Sequence, residues 1–314
     1  MWFALALVAM FCWSGSDLFS KLGSRPDDRF SHWKMVMAVG LVMGLHAMFE
    51  IFVSGVRITF SDIITYLPAS LLYIVSMILG DVGLRYIELS ISSPICNCSG
   101  AVAALFCMVF LGESPEAPEW LLEMGVSQQL GNALCWLPVL AMGAGVLLLG
   151  VVDSREDEAL KIERRKAGNF RYTKSVLALL LPILYCILDA AGTVADSIIL
   201  ETLDESVANV AYELTFLFMG VCAAVYTFGV KKQKPEVRRE VPKLVGGAFE
   251  TAGQFAYVYA LAANTVGAAP IICCYCLVSV IWGRIFLKEK LTWKHYGAIA
   301  LAAVGIVTMG LIDP

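Results

Sequence analysis

Apolar residues gather along the chain into runs of about 20, at roughly 2–22, 33–55, 63–86, 89–111, 133–152, 175–200, 206–230, 242–263, 267–287 and 292–312. A helix of that length rises about 30 Å, the thickness of a bilayer's hydrocarbon core. The pattern therefore predicts an all-α membrane protein with ten transmembrane helices. Short polar punctuators such as SRPDDRFS, LDES and KEKLT separate the runs. Two connections are longer. Residues 112–132 carry four Glu and no Lys or Arg, with a short amphipathic stretch at 119–126. Residues 153–174 form a highly charged connector that divides the chain nearly in half.

The halves resemble one another. Setting Pro94 on Pro270 also pairs Ile95 with Ile271, Cys98 with Cys274, Phe110 with Phe286, Leu111 with Leu287 and Glu113 with Glu289. In the first and sixth runs, Trp13 falls on Tyr185 and Asp17 on Asp189. Residues 1–152 and 175–314 thus read as two five-helix repeats. Five is odd, so the repeats are expected to run in opposite directions across the bilayer, a plan that places a solute site at the repeat interface.

Composition agrees with a bilayer environment: 59% of residues are hydrophobic and 16% charged, against about 25% charged in soluble domains. The start MWFALALVAM has no Lys or Arg before its apolar run, so it reads as the first span, retained, and not as a signal peptide. Of the 23 Lys and Arg, only Arg57 falls on one side of the predicted bundle and the rest on the other. The positive-inside rule makes the rich side cytoplasmic, which puts both termini outside a multi-pass protein of the cell membrane. A net charge of −4 without a basic tail gives nucleic acid no footprint. The ten cysteines lie mostly in apolar runs and read as packing residues. Cys273, Cys274 and Cys276 lack metal-site spacing, so neither a metal nor a cofactor is expected.

Several motifs recur together: Trp13-Ser-Gly-Ser16 in the first run, a Tyr-rich eighth run (Tyr257, Tyr259), and a Pro-containing fourth run in each half that ends in Glu. A short turn and a Gly/Ala-rich last run follow (FLKEKLTWKHYGAIALAAVGIVTMG). In these the chain resembles the drug/metabolite transporter superfamily and, within it, the EamA-like ten-helix branch. The resemblance covers nearly the whole chain and is strongest in 255–312. It implies two inverted repeats around a central cavity lined mainly by helices one, three, four, six, eight and nine. The outside termini and the long 112–132 loop depart from the usual family pattern.

An ionisable residue deep in a span is costly and points to function. The candidates are Asp17, His46, Glu50, Asp81, Asp189, Asp196, Glu213 and Glu250, among which acids outnumber bases. An acid in an apolar wall can alternate between holding a proton and holding a cation. Asp17, Asp189 and Glu250 are therefore the coupling candidates, with protons as the candidate coupling ion. The plainer reading of Asp17 is a pair with Lys21 one turn on. Asp189 has no base at i±3 or i±4, while Asp196 shares its face but reads as an interfacial residue near the helix end. Glu250, Gln254 and Tyr257 make one polar stripe; a hydrogen-bonded helix seam is the competing explanation. His46 pairs with Glu50 at i, i+4, Asn209 with Glu213 reads as structural, and Asp81, Arg85 and Glu88 read as a rim ion-pair ladder. By the resemblance, Trp13, Tyr185, Tyr257 and Tyr275 face the cavity, where aromatic rings attract ammonium groups; singly, each reads first as packing or as part of an interfacial aromatic belt. Pro94 and Pro270 read as kinks, and Gly40, Gly44 and the Gly/Ala faces of the fifth and tenth runs as close packing.

The sequence-level expectation is a non-enzymatic secondary transporter of a small organic solute, cationic or zwitterionic, acting as a monomer or homodimer in the lipid bilayer. The alternative is a membrane enzyme on a lipid-linked substrate. That would call for an acid/base or metal set such as HExxH, whereas His32, His46 and His295 are scattered and there is no Walker motif.

Overall fold

The computed structural model describes residues 1–23, 30–83, 96, 98–112, 116–166, 176–233, 237–286 and 292–312. Helices α1 (Trp2–Gly23), α2 (Ser31–Phe49), α3 (Phe60–Gly83) and α4 (Ser99–Phe106) are followed by short α5 (Glu119–Glu123) and α6 (Gln128–Leu134). Then come α7 (Trp136–Lys166), α8 (Val176–Leu200), α9 (Glu205–Ala224), α10 (Val237–Ala263), α11 (Thr265–Cys273), α12 (Tyr275–Phe286) and α13 (Trp293–Ile312). No strand occurs among the described residues.

Among the described residues, six stretches are long and apolar enough to cross a membrane: Trp2–Ser20, Trp33–Ser54, Gln128–Leu149, Leu180–Leu200, Glu205–Val230 and Thr265–Gly283. Phe60–Ser76 and Ser99–Leu111 are shorter apolar helices. Large apolar side chains such as Leu45, Phe52, Val109, Phe110, Phe218 and Val304 point outward. In lipid there is no penalty for that exposure, and it is the backbone polar groups that must be satisfied within the helix.

The helix ends follow local chemistry. The last turns of α2, α4 and α9 widen into π turns at Glu50–Ser54, Cys107–Leu111 and Val225–Val230. The first two stop at Gly55 and Gly112, whose left-handed φ of 78° and 72° a residue with a Cβ adopts only at a cost. Asp204 caps α9 by accepting from Ser206 N at 2.9 Å, and Asn264 caps α11 by accepting from Gly267 N at 2.8 Å.

Two boundaries differ from the sequence expectation. α7 does not stop at 152 but runs to Lys166, through the first part of the charged connector. That segment, DSREDEALKIERRK, holds no Gly or Pro and is rich in strong helix formers, so nothing in it ends the helix. The ninth run is broken at Cys274, between α11 and α12, one turn after Pro270.

Packing pairs α1 with α10, α3 with α8, α2 with α9, α4 with α11 and α7 with α13. Small residues permit the last three approaches. A Cβ on Gly40 would stand 2.6 Å from the Phe216 carbonyl of α9; one on Gly145, 2.7 Å from Ala302 of α13; one on Gly305, 2.8 Å from the Pro138 carbonyl of α7. Without a hydrophobic drive between helices in lipid, this close van der Waals contact holds them together.

Candidate functional site

Four helices, α1, α3, α8 and α10, bring their polar faces together inside the bundle. On α8, Asp189, Thr193 and Asp196 follow one face at i, i+4, i+7. Asp189 is half-buried, beside the hydroxyls of Ser76 from α3 and Ser99 from α4. Thr193 Oγ1 donates back to the Asp189 carbonyl at 3.2 Å.

Asp196 is fully buried, which corrects its reading as an interfacial residue: tyrosines of α3 and α10 enclose it. Its Oδ2 accepts from the Tyr73 hydroxyl at 2.7 Å. The Tyr73 and Tyr257 hydroxyls share a short hydrogen bond, and Thr193 Oγ1 lies 3.3 Å from Tyr257 and 3.4 Å from Tyr73. The Tyr66 hydroxyl neighbours the same carboxylate. Tyr66 OH and Asp196 Oδ1 are both buried and have no hydrogen-bond partner among the described residues.

A second set lies deeper. The Trp13 ring packs on Tyr257 at 5.1 Å between centroids and edge-on to Tyr275 at 6.1 Å. Tyr185 and Tyr275 neighbour Asp189, and Tyr275 also neighbours Asp17. Glu250 stands beside Ser16 and Asp17, so the two acids of α1 and α10 face one another. Gln254 is buried with its Nε2 free of partners among the described residues. The eight residues singled out from sequence as solute-contacting (Trp13, Asp17, Tyr185, Asp189, Glu250, Gln254, Tyr257, Tyr275) thus lie on helices that converge in one interior. Trp282 Nε1 donates to Ser14 Oγ at 2.9 Å and fixes α12 to α1 beside them.

His46 and Glu213 lie elsewhere, between α2 and α9. His46 Nδ1 stands 2.8 Å from Glu213 Oε1, Asn209 Nδ2 donates to the same oxygen at 3.1 Å, and His46 Nε2 is 3.7 Å from Glu50. The i, i+4 pair expected from sequence is real, but its stronger partner comes from the other half of the chain. Lys21's and Asp81's side chains, Arg85, Glu88 and Pro94 lie outside the described residues.

Sequence reading missed Tyr66, Tyr73, Tyr212, Ser76 and Ser99. Tyr66 and Tyr73 are seven residues apart in α3, the same interval as Asp189 and Asp196 in the partner helix α8. That matched spacing was visible but was not used. Tyr212 packs edge-on to both tyrosines at 6.3 and 6.1 Å.

A cavity of about 550 Å³ is lined by Ser197, the residue after Asp196, together with Leu261, Thr265, Glu116, Glu119 and Glu201. Thr265 Oγ1 donates to Ser197 Oγ at 3.0 Å and ties α11 to α8 in that lining.

The sequence profile of the EamA-like transporter family matches residues 1–125 and 176–311. The chain belongs to that family. The EamA-like family lies within the drug/metabolite transporter superfamily, whose members move small solutes across membranes and are transporters, not enzymes. A solved crystal structure is similar over 99% of this chain and 95% of its own, with a TM-score of 0.65 and 14% identity. At that identity the likeness shows a shared fold. No curated protein matches in sequence. The family match also leaves out 126–175, which spans α6, α7 and the connector.

Proposed function

We propose that this EamA-like protein is a secondary transporter that moves a small organic cation or zwitterion by alternating access. The observation that carries the reading is Asp189: a half-buried acid inside the bundle, beside two hydroxyls and within electrostatic reach of Tyr185 and Tyr275, with Trp13 edge-on to Tyr275. A carboxylate in that setting supplies the counter-charge and the rings supply cation–π attraction to an ammonium group. Asp17 and Glu250 add negative charge on the opposing wall, and Gln254 offers an unpaired amide.

The architecture we infer is ten helices in two inverted repeats around a central cavity. Its support is the pairing of helices. Exchanging the halves turns the α1–α10 contact into the α8–α3 contact, and it leaves α2–α9, α4–α11 and α7–α13 as pairs across the axis. The backbones of Cys98 (φ −75°, ψ −7°) and Cys274 (φ −71°, ψ 1°), equivalent in the two repeats, also agree. The charge asymmetry favours outside termini, and then the 550 Å³ cavity faces outward. Residence in the cell membrane, action as monomer or homodimer, and proton coupling through the buried acids belong to the same reading.

Reconstituted proteoliposomes provide the test, with ethidium, tetraethylammonium and choline as cationic probes and benzoate as an anionic one. Saturable uptake of a cationic probe is expected, and Asp189→Asn should remove it. Uptake of benzoate alone, or cation uptake unaltered by that substitution, would overturn the assignment.

A further inference from the structure

A buried carboxylate normally collects enough donors to replace its lost water. Asp196 does not. It is fully buried, its Oδ2 has the one donor Tyr73, and its Oδ1 has none among the described residues. The groups that face it are Tyr66 and Tyr73 from α3, Tyr257 from α10, Tyr212 from α9 and, two turns back on its own helix, Asp189. No base stands among them. A proton on Oδ1 removes the charge that this wall does not balance, and it gives the idle Tyr66 oxygen a donor to accept from.

We propose that Asp196 is a proton-binding site of this transporter, linked to the solute site through Tyr257 and exchanging its proton with the cavity that its chain neighbour Ser197 lines. The proposal rests on the transporter reading for its role, while the proton site itself stands on the geometry of the cluster. Two contacts link it to the solute. The Trp13 ring lies on Tyr257, whose hydroxyl bonds Tyr73, which in turn donates to Asp196. A solute that displaces Trp13 therefore disturbs Tyr73, the donor to Asp196 Oδ2. The second link is charge. Asp189 and an ionised Asp196 repel each other, seven residues or about 10 Å apart along α8. A cation seated on Asp189 cancels that repulsion and favours loss of the Asp196 proton. The Oδ1–H bond then breaks, and the proton passes to water in the cavity beyond Ser197 and Thr265. The carboxylate left behind takes Tyr73 and Tyr66 as donors. One cation is thereby exchanged against one proton.

Infrared difference spectroscopy on the full-length protein reads the site without any solute. A protonated-carboxyl C=O band is expected at neutral pH, lost in Asp196→Asn and kept in Asp189→Asn. Tyr73→Phe should shift the band by removing the donor, and Asp196→Glu should move it without abolishing it, so a misfolded Asn variant does not decide the matter. A band unchanged in Asp196→Asn, or indifferent to Tyr73→Phe, overturns the proposal. Proton release on adding ethidium, followed with a pH dye, should be lost in Asp196→Asn. Release that persists in that variant overturns the coupling. If the infrared pattern holds but no cationic probe moves or binds, the solute reading falls and the proton site stands.

Discussion

Two buried acids in this bundle make opposite arrangements with their surroundings. Glu213, between α2 and α9, is fully buried and meets a base, His46, together with the Asn209 amide. Asp196, between α8, α3 and α10, is equally buried and, among the described residues, meets only phenols, with one oxygen idle. An acid matched by a base across a helix interface fixes two helices and has little reason to change its charge. An acid held by neutral donors can exist with or without its proton, because neither state leaves a strong partner stranded. Burial alone does not separate a structural acid from a working one; the chemistry of its neighbours does.

The largest effect expected from that contrast is functional. Asp189→Asn should abolish uptake of the cationic probes while leaving thermal stability near that of the parent protein, as the Asn keeps its hydrogen bonds to hydroxyls. The His46 side should behave in reverse. His46→Leu strands the Glu213 carboxylate, at a cost of about 1–3 kcal/mol read as lowered thermal stability in detergent, with uptake per folded molecule unchanged. A double-mutant cycle of His46→Leu with Glu213→Leu should recover much of that loss, and strict additivity would mean the pair is not the structural unit described. Gly40→Leu should cost about 1–3 kcal/mol by overpacking, since even a Cβ there stands 2.6 Å from a carbonyl. It should also loosen the α2–α9 seam around Glu213.

The smallest effect lies at the start of α9. Asp204 is held below the usual Asp value of 3.8, chiefly by the Ser206 hydroxyl and further by the Ser206 and Val207 amides. Its capping contribution is full above the unfolded value and is lost as pH falls through the lowered folded one. Asp204→Ala should therefore cost about 0.5–2 kcal/mol at neutral pH and progressively less in acid, as measured by stability across a pH series.

Much of this was legible beforehand because spans and repeats are one-dimensional properties. An apolar run of fixed length is dictated by bilayer thickness, and the observed helices begin and end within a few residues of eight of the ten runs, one of them broken at Cys274. The fifth is overrun by α7, which continues to Lys166, and the fourth, 89–111, is described only from residue 96. Asp189 was recognisable because no base stands a turn away on its own helix. Asp196 was not, since nearness to a helix end suggested exposure, while Tyr66 and Tyr73 of α3 and Tyr257 of α10 pack around it. Glu213 and His46, 167 residues apart, could not be paired from local spacing. The π turns carried no local sequence signal, whereas the break at Cys274 follows one turn after Pro270, where the sequence predicts a kink.

The sequence by itself determined the environment, the helices and the family, because hydropathy, helix propensity and motif spacing act along a single strand of residues. Only the tertiary structure decided which acid meets a base and which meets phenols. Those neighbours come from helices distant in the chain, and the charge state of a buried group is set by what stands around it in space.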